Sequence, residues 1–245
     1  MNSTAGMDEM TTRFLWDSMV ELEVDATTPG PRELQYWSLY KELMDRGDVP
    51  VVSSNLTYVE NGEEKPVGVP YRLLERNGLK IGLIGLIGGG QFSSTKLPEG
   101  ADVRWSDPIE AAQRVIPEIR DQVDLVVLMS QMSNGDTDRL ISDVEGIDVA
   151  LYGNNPPWRE DCAKVANTVT NGTGTRGQYL GHLMVIVGPE GRLVDYGTFN
   201  RQVSEDLPER PSMAEKVAKV EAQQKEIRDA ARDSARSTDL HGSSE

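Results

Sequence analysis

Two short apolar runs in the middle of the chain constrain its fold more than any other feature. They are Leu125–Ser133, with the sequence LVVLMSQMS, and Ile147–Trp158, with the sequence IDVALYGNNPPW. Each run stops abruptly on small polar residues, as a buried parallel strand does where it opens into the crevice of an α/β sheet. The runs therefore predict two neighbouring strands whose ends, at Gln131 and Asn154, lie at one edge of the sheet.

The rest of the chain alternates between predicted helices and strands, which favours the α/β class. The clearest local signals are a two-residue turn at Asn77-Gly78, which predicts a hairpin, and Asp107-Pro108, which predicts a helix start. Three elements are predicted nearer the N-terminus: a strand over Asp25–Gly30, a helix over Glu33–Asp45 and a strand over Val49–Leu56.

Charge and composition exclude several classes of partner. The 245 residues carry a net charge of −15, which disfavours nucleic acid and anionic membrane surfaces, because both repel a negative protein. No apolar run reaches the ~18–20 residues of a membrane span, so membrane insertion is not expected. The N-terminal residues have neither the basic nor the apolar region of a signal peptide. A lone cysteine, Cys162, excludes an internal disulfide and a multi-cysteine zinc site.

An ordered set of segments carries a family resemblance. In sequence order, the segments are VPVVSSN, YRLLERNGLKIGLIG, DPIEAAQRVIPEIR, DLVVLMSQ, IDVALYGN and RGQYLGHLMV. Together they resemble the catalytic domain of the 5′-nucleotidase and UDP-sugar hydrolase branch of the calcineurin-like metallophosphatases. The resemblance implies an α/β fold, a four-layer αββα sandwich of metallophosphatase type. We expect it to be incomplete at the N-terminus and to end in a C-terminal helix.

The same resemblance gives the expected domain boundaries. Residues 1–211 would form the metallophosphatase-like domain and correspond to the C-terminal two-thirds of the family domain. Residues 212–236 would form a polar helix of linker type, and residues 237–245 a disordered tail. Two metal-binding motifs of the family, Asp-x-His and Gly-Asp, are expected before Met1.

The remaining family motifs fall on residues that differ from the family's metal ligands and catalytic histidine. Gly-Asn-His-Glu/Asp aligns with Gly30-Pro31-Arg32-Glu33, and Ser-His aligns with Ser130-Gln131. Gly-His-x-His aligns with Gly153-Asn154-Asn155-Pro156. Five residues therefore occupy positions that correspond to the family's metal and catalytic site, which we call the ancestral-site positions, and none is assigned a catalytic role: Arg32, Glu33, Gln131, Asn154 and Asn155. The family uses two divalent metal ions, but amides are weak donors for transition metals and proline side chains offer none, so no cofactor is expected here.

Two residues are candidates for contact with a substrate. Arg32 would suit a phosphate, because a guanidinium matches phosphate geometry, but it is also typical of a solvated residue at a helix start. Trp158 would close a pocket beside Asn154 and Asn155, but it is also typical of a residue at the rim of a core.

The resemblance implies a 5′-nucleotidase-like phosphoesterase homologue that is inactive in this form. One alternative is metal-dependent hydrolysis of a nucleotide or another phosphomonoester, at a residual level or in a longer parent chain. A second alternative is an interaction module completed by self-association or by a partner chain at an open sheet edge beside Val49–Leu56 and Leu79–Ile87. The family is mostly periplasmic or extracellular, and no signal peptide is predicted in this chain.

Overall fold

A computed structural model of the chain describes residues 3–158, 162–189 and 191–241, without the side chains of residues 3–5 and 233–241. It divides into two compact units. Unit 1 contains the two ends of the chain, up to Val24 and from Glu205 onward, and unit 2 is Asp25–Ser204. No helix of the described residues is both long and apolar enough to cross a membrane.

Seven helices and eleven strands lie in the described part of the chain. The helices are α1 Ser3–Glu21, α2 Pro31–Gln35, α3 Trp37–Met44, α4 Gly89–Ser93, α5 Pro108–Ile119, α6 Asn134–Asp143 and α7 Pro211–His241, with a 3₁₀ turn at Arg120–Gln122. The strands are β1 Leu56–Glu60, β2 Glu63–Pro66, β3 Tyr71–Arg76, β4 Leu79–Ile87, β5 Val103–Trp105, β6 Leu125–Gln131, β7 Val149–Tyr152, β8 Ala163–Val165, β9 Thr168–Asn171, β10 Tyr179–Val187 and β11 Leu193–Gln202.

The largest sheet has six strands in the order β3-β4-β6-β7-β9-β8. Its four central strands are parallel, and the outer strands β3 and β8 are antiparallel to their neighbours. The predicted neighbours β6 and β7 pair in register from Val127 with Val149 to Ser130 with Tyr152. The α/β class predicted from the alternating pattern is therefore confirmed.

One face of this sheet carries the core. Helices α5 and α6 contribute Ala111, Ala112, Ile119 and Leu140, which pack on strand residues such as Ile84, Leu86, Val126, Leu128 and Ala150. These strand residues occupy alternate positions, as the two-residue period of a strand requires. Helix α5 begins as predicted, because Asp107 Oδ1 accepts hydrogen bonds from the backbone nitrogens of Ile109 and Glu110 at 2.8 and 3.2 Å.

Two smaller sheets complete unit 2. The first has the order β2-β1-β5, and the second is the two-stranded hairpin of β10 and β11. The predicted hairpin of β3 and β4 is also present, and its turn residues Asn77 and Gly78 have φ values of 53° and 80°. Both angles are those of a type I′ turn, which asparagine and glycine adopt readily.

Unit 1 is an antiparallel pair of helices. Near the end of α1, Glu21 accepts hydrogen bonds from Ser212, at 3.0 Å, and from Lys216, both near the start of α7. Farther along the pair, Gln224 Nε2 donates to Thr11 Oγ1 at 2.9 Å. Helix α7 continues to His241, past the point where the sequence predicted a tail, and residues 242–245 lie outside the described residues.

The structure corrects three predictions near the N-terminus of unit 2. Asp25–Gly30 is not a strand, since it contributes only a single bridge between Thr27 and Val51. The predicted helix Glu33–Asp45 is two helices that meet at Tyr36, whose ψ of 39° lies outside the helical range. Val49–Leu56 is extended with isolated bridges, and the strand begins only at Leu56.

Strand β4 also departs from the prediction about the open edge. Leu79–Ile87 is hydrogen-bonded to β3 on one side and to β6 on the other, so it is not an edge strand. The strands at the ends of the six-stranded sheet are β3 and β8. The structure describes a single chain, and self-association stays a prediction.

Candidate functional site

The ends of β6 and β7 meet at one edge of the six-stranded sheet, as predicted. Gly153, directly after β7, donates its backbone N–H to the carbonyl oxygen of Ser130 at 2.7 Å. On the other side, the backbone nitrogen of Gly88 donates to the carbonyl oxygen of Gln131 at 3.3 Å. The ends of β4, β6 and β7, which are neighbours in the sheet, are therefore joined by hydrogen bonds to the backbone of residues 130 and 131.

The side chain of Gln131 lies against two glycines from different loops. A Cβ atom at Gly30 would lie 2.9 Å from Gln131 Oε1, and a Cβ atom at Gly153 would lie 2.6 Å from Gln131 Nε2. Both distances are shorter than real Cβ contacts. The amide of Gln131 therefore fills the space over Gly30 and Gly153, and both loops approach it because neither residue has a side chain.

Glu33 brings a carboxylate to the same place. Its Oε2 atom accepts the backbone N–H of Gly30 at 2.9 Å and so stabilises the first turn of α2. A Cβ atom at Gly30 would lie 3.2 Å from this oxygen as well. The pKa of the Tyr40 phenol is raised, mainly by burial and secondarily by the negative charge of Glu33.

Hydroxyl groups beneath the sheet edge fix the turn after β6. The buried hydroxyls of Ser130 and Thr137 are hydrogen-bonded at 2.7 Å, and Ser130 Oγ accepts the backbone N–H of Met132 at 3.3 Å. Ser133 caps α6 by accepting the backbone N–H of Asp136 at 3.1 Å. The spacing of Ser133 and Asp136 is a helix-start signal that the sequence analysis did not use.

Asn155 joins the cluster through its backbone. Asn134 Nδ2, in the first turn of α6, donates to the carbonyl oxygen of Asn155 at 3.4 Å. The φ angle of Asn155 is 49°, a left-handed conformation that asparagine tolerates. Asn134 Oδ1 is buried and accepts no hydrogen bond within the described residues. Gln131, Asn134, Asn154 and Asn155 all lie at or directly after the ends of β6 and β7, and we call these four amide residues the amide cluster.

Two of the candidate residues have other surroundings. Arg32 is exposed, and no hydrogen bond or ion pair joins its guanidinium to another residue in the described part of the chain. Trp158 is 51% exposed, forms a bridge with Thr173 and packs against Tyr179 with ring centroids 5.6 Å apart. A role for either residue in binding a substrate stays a prediction.

The donors at this edge do not fit the two divalent metal ions that the family uses. Glu33 is the single carboxylate among the five ancestral-site positions, and its Oε2 atom already accepts the Gly30 N–H. The side chains at 131, 154 and 155 are neutral amides. Among the described residues, no group of three or more His, Cys, Asp and Glu side chains is arranged to hold a metal ion. A dinuclear centre needs several imidazole and carboxylate donors around each ion, so no catalytic step through a metal follows from this edge.

Comparisons with known proteins agree with this fold. The chain is 26% identical over 163 residues to the uncharacterized metallophosphoesterase YunD of Bacillus subtilis (strain 168), a match that covers 65% of this chain and 34% of that protein. It is 32% identical over 116 residues to a probable 5′-nucleotidase of Treponema pallidum, covering 46% of this chain and 19% of that protein. The crystal structure of a 5′-nucleotidase precursor from Thermus thermophilus superposes with a TM-score of 0.71 at 21% identity, covering 85% of this chain and 45% of that one. No family model matches the sequence.

The chain is related to the 5′-nucleotidase branch of the calcineurin-like metallophosphatases. The resemblance inferred from the ordered segments is thereby confirmed, and so is the fold, an α/β architecture of metallophosphatase type that ends in a C-terminal helix. The matched regions make up 34% and 19% of the two curated relatives, so the chain corresponds to a part of each.

Proposed function

We propose that this chain is a 5′-nucleotidase-like phosphoesterase homologue that does not hydrolyse phosphomonoesters through a dinuclear metal centre. The observation that carries the proposal is the position of Gln131. Its amide occupies the space between Gly30 and Gly153, two glycines that the resemblance aligns with metal motifs of the family. An amide there supplies a neutral oxygen, whereas a dinuclear site needs charged or imidazole donors.

The names of the relatives support a phosphoesterase ancestry for the chain. Their names describe a metallophosphoesterase and a probable 5′-nucleotidase, so the ancestral ligand is a nucleotide or another phosphomonoester. Such a ligand is anionic at neutral pH. Without metal ions the amide cluster offers it donors and no formal positive charge, while Glu33 adds a negative one. Binding of the ancestral ligand should therefore be weak as well as unproductive.

Calorimetry and a phosphatase assay on the same preparation test the proposal. We expect no stoichiometric binding of Mn²⁺ or Zn²⁺ with a Kd below about 10 µM, since too few strong donors converge. We also expect no metal-stimulated hydrolysis of AMP or p-nitrophenyl phosphate.

The variant Glu33→Gln is the matched control, because it removes the single carboxylate among the five ancestral-site positions and keeps the shape of the side chain. Two metal ions bound per chain, together with turnover that Glu33→Gln abolishes, would contradict the proposal and restore the alternative of a metal-dependent hydrolase. Turnover that Glu33→Gln leaves unchanged would come from a contaminating phosphatase.

A further inference from the structure

A second cleft lies beyond the end of β4, beside α4, α5 and α6. It has a volume of about 260 Å³, and its walls come from the first turn of α4, the start of α5 and the first two turns of α6. The described residues that line it all fall within 88–140. One continuous stretch in the middle of the chain therefore builds the cleft, and none of the ancestral-site positions is among these lining residues.

One wall of the cleft is made of glycine backbone and an indole ring. A Cβ atom at Gly89 would lie 2.9 Å from Trp105 Cζ2, so the ring rests directly on the Gly89 backbone. The ring is held in place because Trp105 Nε1 donates to the carbonyl oxygen of Ile87 at 3.0 Å, and because Phe92 stacks on it with ring centroids 6.4 Å apart. The other apolar side chains that line the cleft include Ile109, Met132 and Leu140.

Two carboxylates also line the cleft, and each keeps one oxygen without a partner. Asp107 Oδ1 accepts the first amides of α5, whereas no hydrogen bond or ion pair reaches Asp107 Oδ2 within the described residues. Asp136 Oδ2 accepts the hydroxyl of Ser133 at 2.6 Å, and Asp136 Oδ1 has no partner in the same part of the chain. The cleft therefore presents two negative acceptors beside an aromatic ring.

A third acceptor lies behind the glycine wall. Gln91 Oε1 is buried and accepts no hydrogen bond from any described residue. It abuts Gly88, which lines the cleft, and a Cβ atom at Gly88 would collide with it. Buried amide oxygens are nearly always satisfied, so this oxygen points to a donor that comes from outside the protein.

We propose that this cleft binds a primary alkylammonium ion. An ammonium group has three N–H donors and no acceptor, which matches two carboxylate oxygens and one amide oxygen that lack donors. The ring of Trp105 attracts a cation, the apolar residues receive an aliphatic chain, and the net charge of −15 raises the local concentration of cations. A metal ion does not fit, because no group of three or more metal-ligating side chains lies in the described residues.

Arg139 distinguishes a cationic ligand from an anionic one. It lines the cleft from α6, its side chain is 75% exposed, and its Nε atom lies 3.5 Å from Asp143 Oδ2. The positive charge of Arg139 opposes an ammonium ion and attracts a carboxylate or a phosphate. Removal of this charge should therefore change the affinity in opposite directions for the two classes of ligand. The inference is independent of the proposed function, since it concerns this cleft and not the amide cluster.

A titration of the ¹⁵N-labelled full chain with n-butylamine, followed by NMR near neutral pH and at low salt, tests the proposal. Butan-1-ol and butyrate are the controls, because they keep the aliphatic chain and replace the ammonium by a neutral or a negative group. We expect saturable shifts of the Trp105 indole N–H and of the Gly89 and Gly90 amides, with a Kd of about 1 mM or below. Both controls should bind at least about tenfold more weakly. No saturation up to about 20 mM, or equal binding of either control, would overturn the proposal.

Three variants locate the site. Asp136→Asn should weaken binding of n-butylamine at least about fivefold, since it removes the charge and leaves an oxygen to accept the Ser133 hydroxyl. Asp121→Asn is the matched control, because Asp121 is exposed in the turn after α5 and should change the Kd less than about twofold. Arg139→Gln should tighten binding. Equal effects of the two aspartate variants, or weaker binding by Arg139→Gln, would contradict the assignment. If a variant failed to fold, the three ligands compared on the unmodified chain would still decide.

Discussion

Replacement of Asn55 tests how unit 2 is held together. This side chain is 3% exposed and makes three hydrogen bonds to backbone groups. Its Nδ2 atom donates to the carbonyl oxygens of Ile87 and Ser106, both at 2.9 Å, and its Oδ1 atom accepts the N–H of Ile87 at 3.1 Å. One side chain therefore joins the start of β1, the end of β4 and the loop before α5.

The variant Asn55→Ala leaves the N–H of Ile87 and the carbonyl oxygen of Ser106 without the Asn55 partner, while the carbonyl oxygen of Ile87 keeps its hydrogen bond from Trp105 Nε1 at 3.0 Å. An unsatisfied buried group costs about 1–3 kcal/mol, so the loss for the two groups is roughly 2–6 kcal/mol. Typical domains have a free energy of unfolding of about 5–15 kcal/mol, so this loss would remove a large part of the stability. Asn55→Asp should be at least as damaging, because a carboxylate keeps the size of the amide but turns two donor contacts into repulsion with carbonyl oxygens.

Urea unfolding followed by circular dichroism measures the effect, with Asn77→Gly as the control. Asn77 is an exposed turn residue with a φ of 53°, which glycine adopts without strain. We expect the control to change the free energy of unfolding by less than about 0.5 kcal/mol. If Asn55→Ala also lost less than about 1 kcal/mol, the three hydrogen bonds would not connect these segments as argued.

Two further predictions concern the amide cluster and its surroundings. Gly153→Ala should destabilise the chain by about 1–3 kcal/mol, because the new methyl group collides with Gln131. Adding Gln131→Ala should recover part of that loss. A double-mutant cycle measured by urea unfolding tests the contact, and additive effects of the two substitutions would refute it. The pKa of the Tyr40 phenol is raised in the folded chain. Near pH 10 the unfolded chain therefore releases the phenol proton while the folded chain keeps it. The stability that the protonated phenol contributes is thus present below about pH 10 and is lost as the pH rises. Between pH 9 and pH 11, the free energy of unfolding of Tyr40→Phe should fall by about 1 kcal/mol less than that of the unmodified chain; an equal pH dependence of the two would refute the assignment to Tyr40.

The sequence correctly predicted those elements whose structure is determined by a local signal alone. Asn77-Gly78 adopts the left-handed angles that only a few residue types tolerate, and Asp107-Pro108 satisfies the first amides of α5 by itself. The strands β6 and β7 were predictable for a related reason. Each is a short apolar run, and a single helix, α6, joins them, so neighbouring parallel strands were the expected arrangement.

Elements that depend on distant contacts were predicted poorly. The β-branched residues of Val49–Leu56 favour a strand, but Pro50 has no N–H to donate, and the segment makes only single bridges at Val51 and Val52. Tyr36 carries no helix-breaking signal, although two helices meet there. The residues Leu34 and Trp37 on either side are both buried, which indicates that packing sets the angle between the helices.

Sequence reasoning found the positions of the candidate site but not the way they interact. Alignment with the family motifs singled out Glu33, Gln131 and Asn154. It assigned no structural role to Gly30 and Gly153, although these two glycines make room for the Gln131 amide. The contact between Gly30 and Gln131 joins residues far apart in the sequence, so neither periodicity nor a local motif reveals it.

The pairing of α1 with α7 has a consequence for synthesis of the chain. Glu21 and Ser212 are 191 residues apart, and Thr11 and Gln224 are 213 apart. At about 5–20 residues per second, a ribosome needs roughly 10 to 40 s to proceed from one helix to the other. Throughout that interval α1 is outside the ribosome without its helical partner, while the whole of unit 2 is being made. Among the described residues, the pairing of α1 with α7 therefore forms only after the whole of unit 2 has been synthesised.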